Sequence, residues 1–298
     1  MKKVLVIAGP TASGKSDTAV RLAQKFGGEI ISGDSIQVYR GMDIGSGKVT
    51  EEEMQGVPHH LIDILDPKEP FSAADFQRMA RALIERIDFP VICGGTGLYL
   101  KSCLYDYSFS KEEEVPLGEE YESLDCEALH ARLREIDPVS AEKIHPNNRR
   151  RVMRAIAIAV RTGRTKSEQE MEQNHAPVYD LFIAGCTMER GLLYERINAR
   201  VERMFAAGLA EEVKRLLEQG VTFDDPSMRG IGYQEFRPYF EGTASLPEVK
   251  AEIQKHSRNY AKRQYTWLNH QMPVHWYDMT QEDEKTRMEY EIMEWKGA

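Results

Sequence analysis

Apolar residues run unbroken from position 4 to 8 and stop at Gly9. A strand buried on both faces reads this way, because neither face has room for polar side chains. The pattern then changes to a helical period over residues 15–26 and ends at Gly27-Gly28. Residues 29–32 are short and β-branched, predicting a second strand that delivers Gly33-Asp34-Ser35 into a loop. Residues 61–64 predict another short strand. Ser72 predicts a helix cap, with Asp75 as the capping-box acid and the helix running to about Ile87. Residues 90–93 read as a strand closing on Gly94-Gly95-Thr96-Gly97. Strand, glycine turn and helix, repeated, predict an α/β fold with a doubly wound parallel sheet.

Between about residues 111 and 175 the strand signal disappears. Residues 127–136 and 149–162 carry helical patterns, so a helical insertion domain is expected over 113–175, with the core formed by 1–112 and 176–298. Residues 179–184 return to the sheet. From Arg190 onward long amphipathic helices are predicted, with Leu193, Ile197, Val201 and Met204 at helical spacing.

Composition changes little in this picture. Of 298 residues, 41% are hydrophobic and 29% charged, the balance of a soluble globular chain. No apolar run approaches the roughly eighteen residues of a membrane span, and the start of the chain reads as a buried strand rather than a leader. Cys93, Cys103, Cys126 and Cys186 lie far apart, without the spacing of a zinc site or disulfide framework, so a reducing cytoplasm is expected; the sequence leaves the oligomeric state open, with a monomer favoured. His59 and His60 are adjacent and lack an evident third ligand, which argues against a metal role.

Charge changes more. The net charge is −9, yet residues 145–166 hold seven cations (Arg149, Arg150, Arg151, Arg154, Arg161, Arg164, Lys166) and no acid. Residues 253–277 add Lys255, Arg258, Lys262 and Arg263, again without an acid. Phosphate backbones respond to local potential, so a polyanionic partner is expected, the competing reading being solvated helix faces.

The chemistry begins at Gly9-Pro10-Thr11-Ala12-Ser13-Gly14-Lys15-Ser16, a full G-x-x-x-x-G-K-[ST] pattern between a strand and a helix. Its glycines let backbone N–H groups converge on phosphate oxygens, and the helix N-terminus adds partial positive charge. Lys15 supplies a cation and Ser16 a hydroxyl for Mg²⁺. The fold is therefore expected to be P-loop NTPase-like. A nucleotide-splitting P-loop enzyme should carry an aspartate at the end of an apolar strand; residues 90–93 lead instead into Gly94-Gly95-Thr96. The clearest strand-end acid is Asp34, which reads as a Mg²⁺ ligand, a general base, or a turn former. Thr96 can aim its hydroxyl at the same crevice or only bond its own backbone.

The P-loop together with Asp34-Ser35-Ile36-Gln37-Val38-Tyr39-Arg40-Gly41-Met42-Asp43-Ile44-Gly45 resembles the tRNA dimethylallyltransferase family. So do Pro58-His59-His60-Leu61-Ile62-Asp63, Gly94-Gly95-Thr96-Gly97-Leu98-Tyr99, His145-Pro146-Asn147-Asn148, Arg229-Gly230-Ile231-Gly232-Tyr233 and the block 260–267. Ser46-Gly47-Lys48 and Ser257-Arg258 depart from the usual pattern but keep a hydroxyl and a cation. The resemblance implies Mg²⁺-dependent transfer of a dimethylallyl group from dimethylallyl diphosphate to the exocyclic amine of the adenine 3′ to a tRNA anticodon. It implies Asp34 as base, and Thr96 and Arg200 as donors to the leaving group. Spacing alone leaves Arg200 open, since Glu195 or Glu202 offers a surface pair. It also implies tRNA contacts from Asp34-Ser35-Ile36-Gln37, from Arg150-Arg151-Val152-Met153-Arg154 and from Arg229-Gly230-Ile231-Gly232-Tyr233-Gln234. Tyr260, Tyr265 and Trp267 are candidates for base stacking, with a core role the default for Trp267. A P-loop small-molecule kinase and a nucleotide-gated RNA-binding module are the competing readings.

Overall fold

A computed structural model describes residues 1–109, 118–172 and 175–297. They divide into two compact units, one formed by Met1–Tyr105 with Pro177–Ala298 and the other by Asp106–Ala176. The expected boundary at 112–113 lies outside the described residues.

The first unit is built on six parallel strands: β1 (Lys3–Ala8), β2 (Glu29–Ser32), β3 (His59–His60), β4 (Pro90–Gly94), β5 (Asp180–Thr187) and β6 (His275–Asp278). Their order is β3-β2-β4-β1-β5-β6. Central β1 pairs with β4 on one side (Ile7↔Cys93) and β5 on the other (Ile7↔Ala184). Its unbroken apolar run serves two cores at once. Val4, Val6 and Ala8 join one cluster with Ile31 and Ile92, while Leu5 and Ile7 join the other with Ile30 and Val91. The helix Lys15–Phe26 covers the second face through Ala19, Leu22 and Ala23. The helices Ala73–Arg86 and Gly97–Leu104, with parts of Leu209–Glu218 and Leu246–Gln271, cover the first. This is the α/β, P-loop NTPase-like architecture expected. Ser72 and Asp75 form the reciprocal capping box, Ser72 Oγ accepting from Asp75 N at 3.2 Å and Asp75 Oδ2 from Ser72 N at 3.1 Å.

Two expectations about strands need correction. The third strand is His59–His60, not residues 61–64. Leu61 (φ 61°) and Asp63 (φ 54°) take left-handed backbone, which ends the pairing. β6 interrupts the helices expected after Arg190. Its partner β5 aligns Cys186 with Tyr277, the one residue of β6 that is fully buried.

In the second unit every described element is helical, including Cys126–Ile136, Pro138–Lys143 and Arg149–Thr162. Leu129 and Leu133 pack with Val152, Ala155 and Ile156. Asn148 caps the last of these helices, and Gly163 (φ 67°) ends it. The opposite face exposes Arg150, Arg151 and Arg154. The acid-free run is less uniform in space than in sequence. Arg149 donates to the carbonyls of Leu124 and Glu122, Arg164 pairs with Glu172, and Lys166 with Glu170.

Candidate functional site

The P-loop leaves β1 through Gly9 at φ 152°, where a Cβ would lie 2.7 Å from the Cys186 carbonyl oxygen and 2.9 Å from Ser13 Oγ. The following helix starts at Gly14 with no side chain capping it, so its first N–H groups are left for a ligand. Among the described residues Ser13 Oγ is buried without a hydrogen-bond partner, an orphan that a phosphate oxygen would satisfy. Lys15 folds back to donate to the Pro10 carbonyl at 3.2 Å. Burial lowers its pKa, and Arg200 adds to that, while Asp34 opposes it. An incoming anion would relieve both pressures.

Asp34 follows β2 and Gly33. Its Oδ1 accepts from Ile36 N at 2.8 Å and Gln37 N at 3.4 Å, so one oxygen does form the turn. Among the described residues Oδ2 takes no hydrogen bond, and the carboxylate acts electrostatically on Lys15, Arg200 and Tyr260. The turn and chemical readings therefore divide between the two oxygens of one side chain. Thr96 occupies the N-cap position of Gly97–Leu104, yet its hydroxyl makes no cap bond. It meets Tyr260 instead: burial and Asp34 raise the Tyr260 hydroxyl, while hydrogen bonding to Thr96 and Gln264 opposes them.

Arg200 has no carboxylate partner among the described residues, and the expected competitor Glu202 pairs with Lys250. Its Nη1 donates to Thr11 Oγ1 at 3.1 Å, and its Nη2 to the carbonyls of Ser46 and Gly47, each at 3.4 Å. Burial and Arg203 lower its pKa, and Asp34 offsets part of this. Arg196 is directed to Met188 Sδ instead. Gly47 takes φ 57°, and a Cβ built on it would meet the Arg200 guanidinium, which would have to shift to admit it. Gly47→Ala is expected to cost about 1–3 kcal/mol of stability and to lower turnover by at least about tenfold. Urea unfolding and steady-state kinetics check the two effects separately.

The loop that seats Arg200 hangs on Glu212, which is 2% exposed. Its carboxylate accepts from the N–H groups of Asp43 (3.0 Å), Ile44 (2.8 Å) and Gly45 (3.0 Å) and from Tyr233 Oη (2.8 Å). Tyr233 Oη in turn accepts from Ser46 N at 3.1 Å. Tyr233 is 0% exposed and Gly232 is buried, so these two brace the loop from inside; Arg229 and Gln234 are exposed. Gly230 packs on Ile36, and Ile231 is partly buried. Gln37 accepts from Ser32 Oγ (3.1 Å) and donates to the Gly47 carbonyl (3.2 Å), leaving Ser35 as the side chain of that run without a hydrogen bond among the described residues. Val152 is buried and Met153 partly so.

Of the aromatic candidates, Tyr265 is stacked on Trp276 (4.6 Å between centroids, 20°), and Trp267 packs over Gly97. Tyr260 alone stands beside Asp34 and Thr96. Pro10 and Ala12 complete the loop. Ala12 packs, as do Tyr194 and Tyr265, against the buried cluster Met188, Leu193, Ile197 and Ala261, beside an apolar hollow of about 290 Å³ edged by Arg190 and Lys262.

Ser16 opens the helix beside Cys93, whose thiol is pushed up to about 11 by burial. A single hydroxyl at Ser16 suits Mg²⁺, which keeps phosphate oxygens and water as most of its ligands. The described residues hold no group of three side chains that would cage a metal. His59 bonds the Val57 carbonyl and His60 pairs with Glu29.

Sequence reading missed Gln264 and Glu212. Gln264 stands between Arg263 and Tyr265 in the 260–267 block, and no local pattern marks its amide as buried. Glu212 sits in a helix whose other acids face solvent, and nothing local distinguishes it.

Comparison with known proteins finds relatives along nearly the whole chain. The model of the family described as IPP transferase matches residues 37–271, and that described as isopentenyl transferase matches residues 2–69. The tRNA dimethylallyltransferase of Anoxybacillus flavithermus is 48% identical over 300 residues, covering 98% of this chain and 95% of its own. That of Bacillus subtilis is 48% identical over 286 residues, covering 93% and 91%. A solved tRNA isopentenylpyrophosphate transferase from Bacillus halodurans matches with TM-score 0.76 at 42% identity, over 99% of this chain and 97% of that one. A eukaryotic dimethylallyltransferase, captured in crystallographic snapshots acting on tRNA, matches with TM-score 0.83 at 30% identity, over 97% and 78%. With nearly its whole length matched at close to half identity, the chain belongs to the tRNA dimethylallyltransferase (IPP transferase) family.

Proposed function

We propose that the protein transfers a dimethylallyl group from dimethylallyl diphosphate to the exocyclic amine of the adenine 3′-adjacent to the anticodon of tRNA, releasing pyrophosphate. One observation carries the mechanism: the Asp34 carboxylate, one oxygen of which takes no hydrogen bond among the described residues, lies within electrostatic range of Lys15 and Arg200, cations that burial has stripped of water. The P-loop amides, the orphan Ser13 hydroxyl and Lys15 bind the diphosphate. The amine lone pair forms the new C–N bond as the allylic C–O bond breaks, and the electron pair leaves on pyrophosphate. Arg200 and Thr96 stabilise the charge growing there. Asp34 Oδ2 orients the amine and takes its proton. Mg²⁺, held by Ser16 and the diphosphate oxygens, would neutralise part of the leaving group's charge.

The exposed Arg150, Arg151 and Arg154, with Arg229, Gln234 and Ser35, supply tRNA contacts in this reading. Tyr233, Gly232 and Val152 act from behind the surface. Among the described residues no helix is long and apolar enough to cross a membrane. We place the reaction in the cytoplasm, with a monomer as the working unit.

Labelled dimethylallyl diphosphate incubated with unmodified tRNA tests the proposal: label should enter the tRNA and pyrophosphate should appear in equal amount. ATP-dependent phosphorylation of a small acceptor, without labelled tRNA, would mean a kinase instead. The tRNA affinity should fall steeply with salt, and replacing Arg150, Arg151 and Arg154 together should reduce the log–log slope by about 2–3. A salt-independent affinity would refute the phosphate-contact role of that helix face.

A further inference from the structure

Gln264 is 6% exposed on the long helix Leu246–Gln271, and its amide joins the two loops that leave the paired strands β1 and β4 just beyond their last register pair, Ala8↔Gly94. Its Oε1 accepts from Thr11 N at 3.0 Å, and its Nε2 donates to the Gly95 carbonyl at 3.1 Å. Thr11 belongs to the P-loop and carries Arg200 on its hydroxyl. Gly95 precedes Thr96. Arg200 and Thr96, the two donors proposed to act on the leaving pyrophosphate, are therefore each one residue removed from the same side-chain amide. Even the glycines fit it: a Cβ on Gly95 would strike Gln264 and approach the Gly9 carbonyl oxygen to 2.7 Å.

Resting on the prenyl-transfer reading, we infer that Gln264 is a positioning residue that fixes the distance between the P-loop and Thr96, and so the alignment of the diphosphate. The amide is matched to the task, because the gap needs one acceptor and one donor on the same head. A glutamate would aim a carboxylate at the Gly95 carbonyl and bring negative charge toward the diphosphate. A methionine would fill the space and bond neither loop, leaving a buried N–H and a buried C=O unpaired. Tyr260 lies one turn earlier on the same helix face, and Thr96 is near enough to its hydroxyl to oppose the rise in its pKa, which places a second residue of the helix beside this turn.

The test compares Gln264→Glu and Gln264→Met with the unmodified protein in three measurements: pyrophosphate affinity by calorimetry, single-turnover prenyl transfer, and tRNA affinity. Gln264→Glu is expected to weaken pyrophosphate binding and to slow transfer by about 10²-fold, with tRNA affinity changed less than about threefold. Gln264→Met should lie between, its two loops held in place only by packing. Should Gln264→Glu fail to fold, the methionine variant carries the test alone, with at least about a tenfold loss of transfer required. Equal losses of tRNA affinity and transfer, tracking a fall in the urea midpoint, would reduce Gln264 to a structural strut and overturn the inference. So would unchanged transfer in a folded variant. If the unmodified protein transfers no prenyl group yet its pyrophosphate affinity still depends on Gln264, the reaction is misassigned and the positioning role stands.

Discussion

Asp34→Asn is expected to slow single-turnover transfer by about 10²–10⁴-fold and to change the tRNA Kd by less than about threefold, or about 0.7 kcal/mol. Asparagine is the informative replacement because the two oxygens of Asp34 do different work. The amide oxygen of asparagine can still accept from Ile36 N and Gln37 N, so the turn and the Ile36 contact with Gly230 survive. The other oxygen, which takes no hydrogen bond among the described residues, becomes an NH₂ that can neither take a proton nor steady a positive amine. Asp34→Ala should also abolish transfer while leaving tRNA binding largely intact, though it frees the turn amides as well. If the asparagine variant lost tRNA binding in step with transfer, the chemical role of Oδ2 would be gone and Asp34 would be a turn former only. Quench-flow transfer with saturating tRNA, beside filter binding, separates the outcomes.

The second large effect should come from a residue that touches no substrate in the proposed reaction. Glu212→Leu removes the acceptor for three backbone N–H groups and for Tyr233 Oη, all enclosed by the loop 43–46. At about 1–3 kcal/mol for each donor left unpaired, less whatever relaxation recovers, the loss is on the order of 4 kcal/mol. For a unit of this size that is a drop in Tm of about 10 °C. Arg200 should be released with the loop, since two of its three anchors are the Ser46 and Gly47 carbonyls. The variant is expected to lose transfer even at temperatures where it remains folded. Glu212→Gln, keeping one acceptor, should fall between. A Tm within about 2 °C of the unmodified protein would show that water replaces the carboxylate, and the bracing role would be discarded.

What could be read from sequence follows the range of the forces involved. The P-loop, β1, the Lys15–Phe26 helix and the Ser72 box are each specified within a few residues, so the pattern and the structure coincide. The strand at His59–His60 slipped by two positions because left-handed residues at Leu61 and Asp63 end it, and a hydropathy pattern carries no sign of φ. β6 was invisible because only Tyr277 of its four residues is buried and its identity as a strand depends on β5, nearly a hundred residues earlier. The same distance hid Gln264 and Glu212, whose partners are on other loops. The basic run at 145–166 misled in the opposite sense: acids beyond its end, Glu170 and Glu172, fold back to neutralise Lys166 and Arg164. Tyr233 matched a block expected at the tRNA surface and is enclosed, because a hydroxyl on a large ring can brace a loop from within.

The strand order β3-β2-β4-β1-β5-β6 also has a bearing on how the chain is made. The ribosome delivers β1 first, but one neighbour of β1 arrives about ninety residues later and the other about ninety after that. The helix carrying Gln264 emerges nearly last. With domains folding as units during synthesis, the phosphate loop spends most of translation attached to a strand whose apolar faces are uncovered. The nascent chain should therefore present a binding site for a holdase over most of its length. Phosphate binding should appear abruptly near release rather than grow as the chain lengthens, and a stop codon just before residue 264 should give a protein with a nearly full sheet and no grip on its donor.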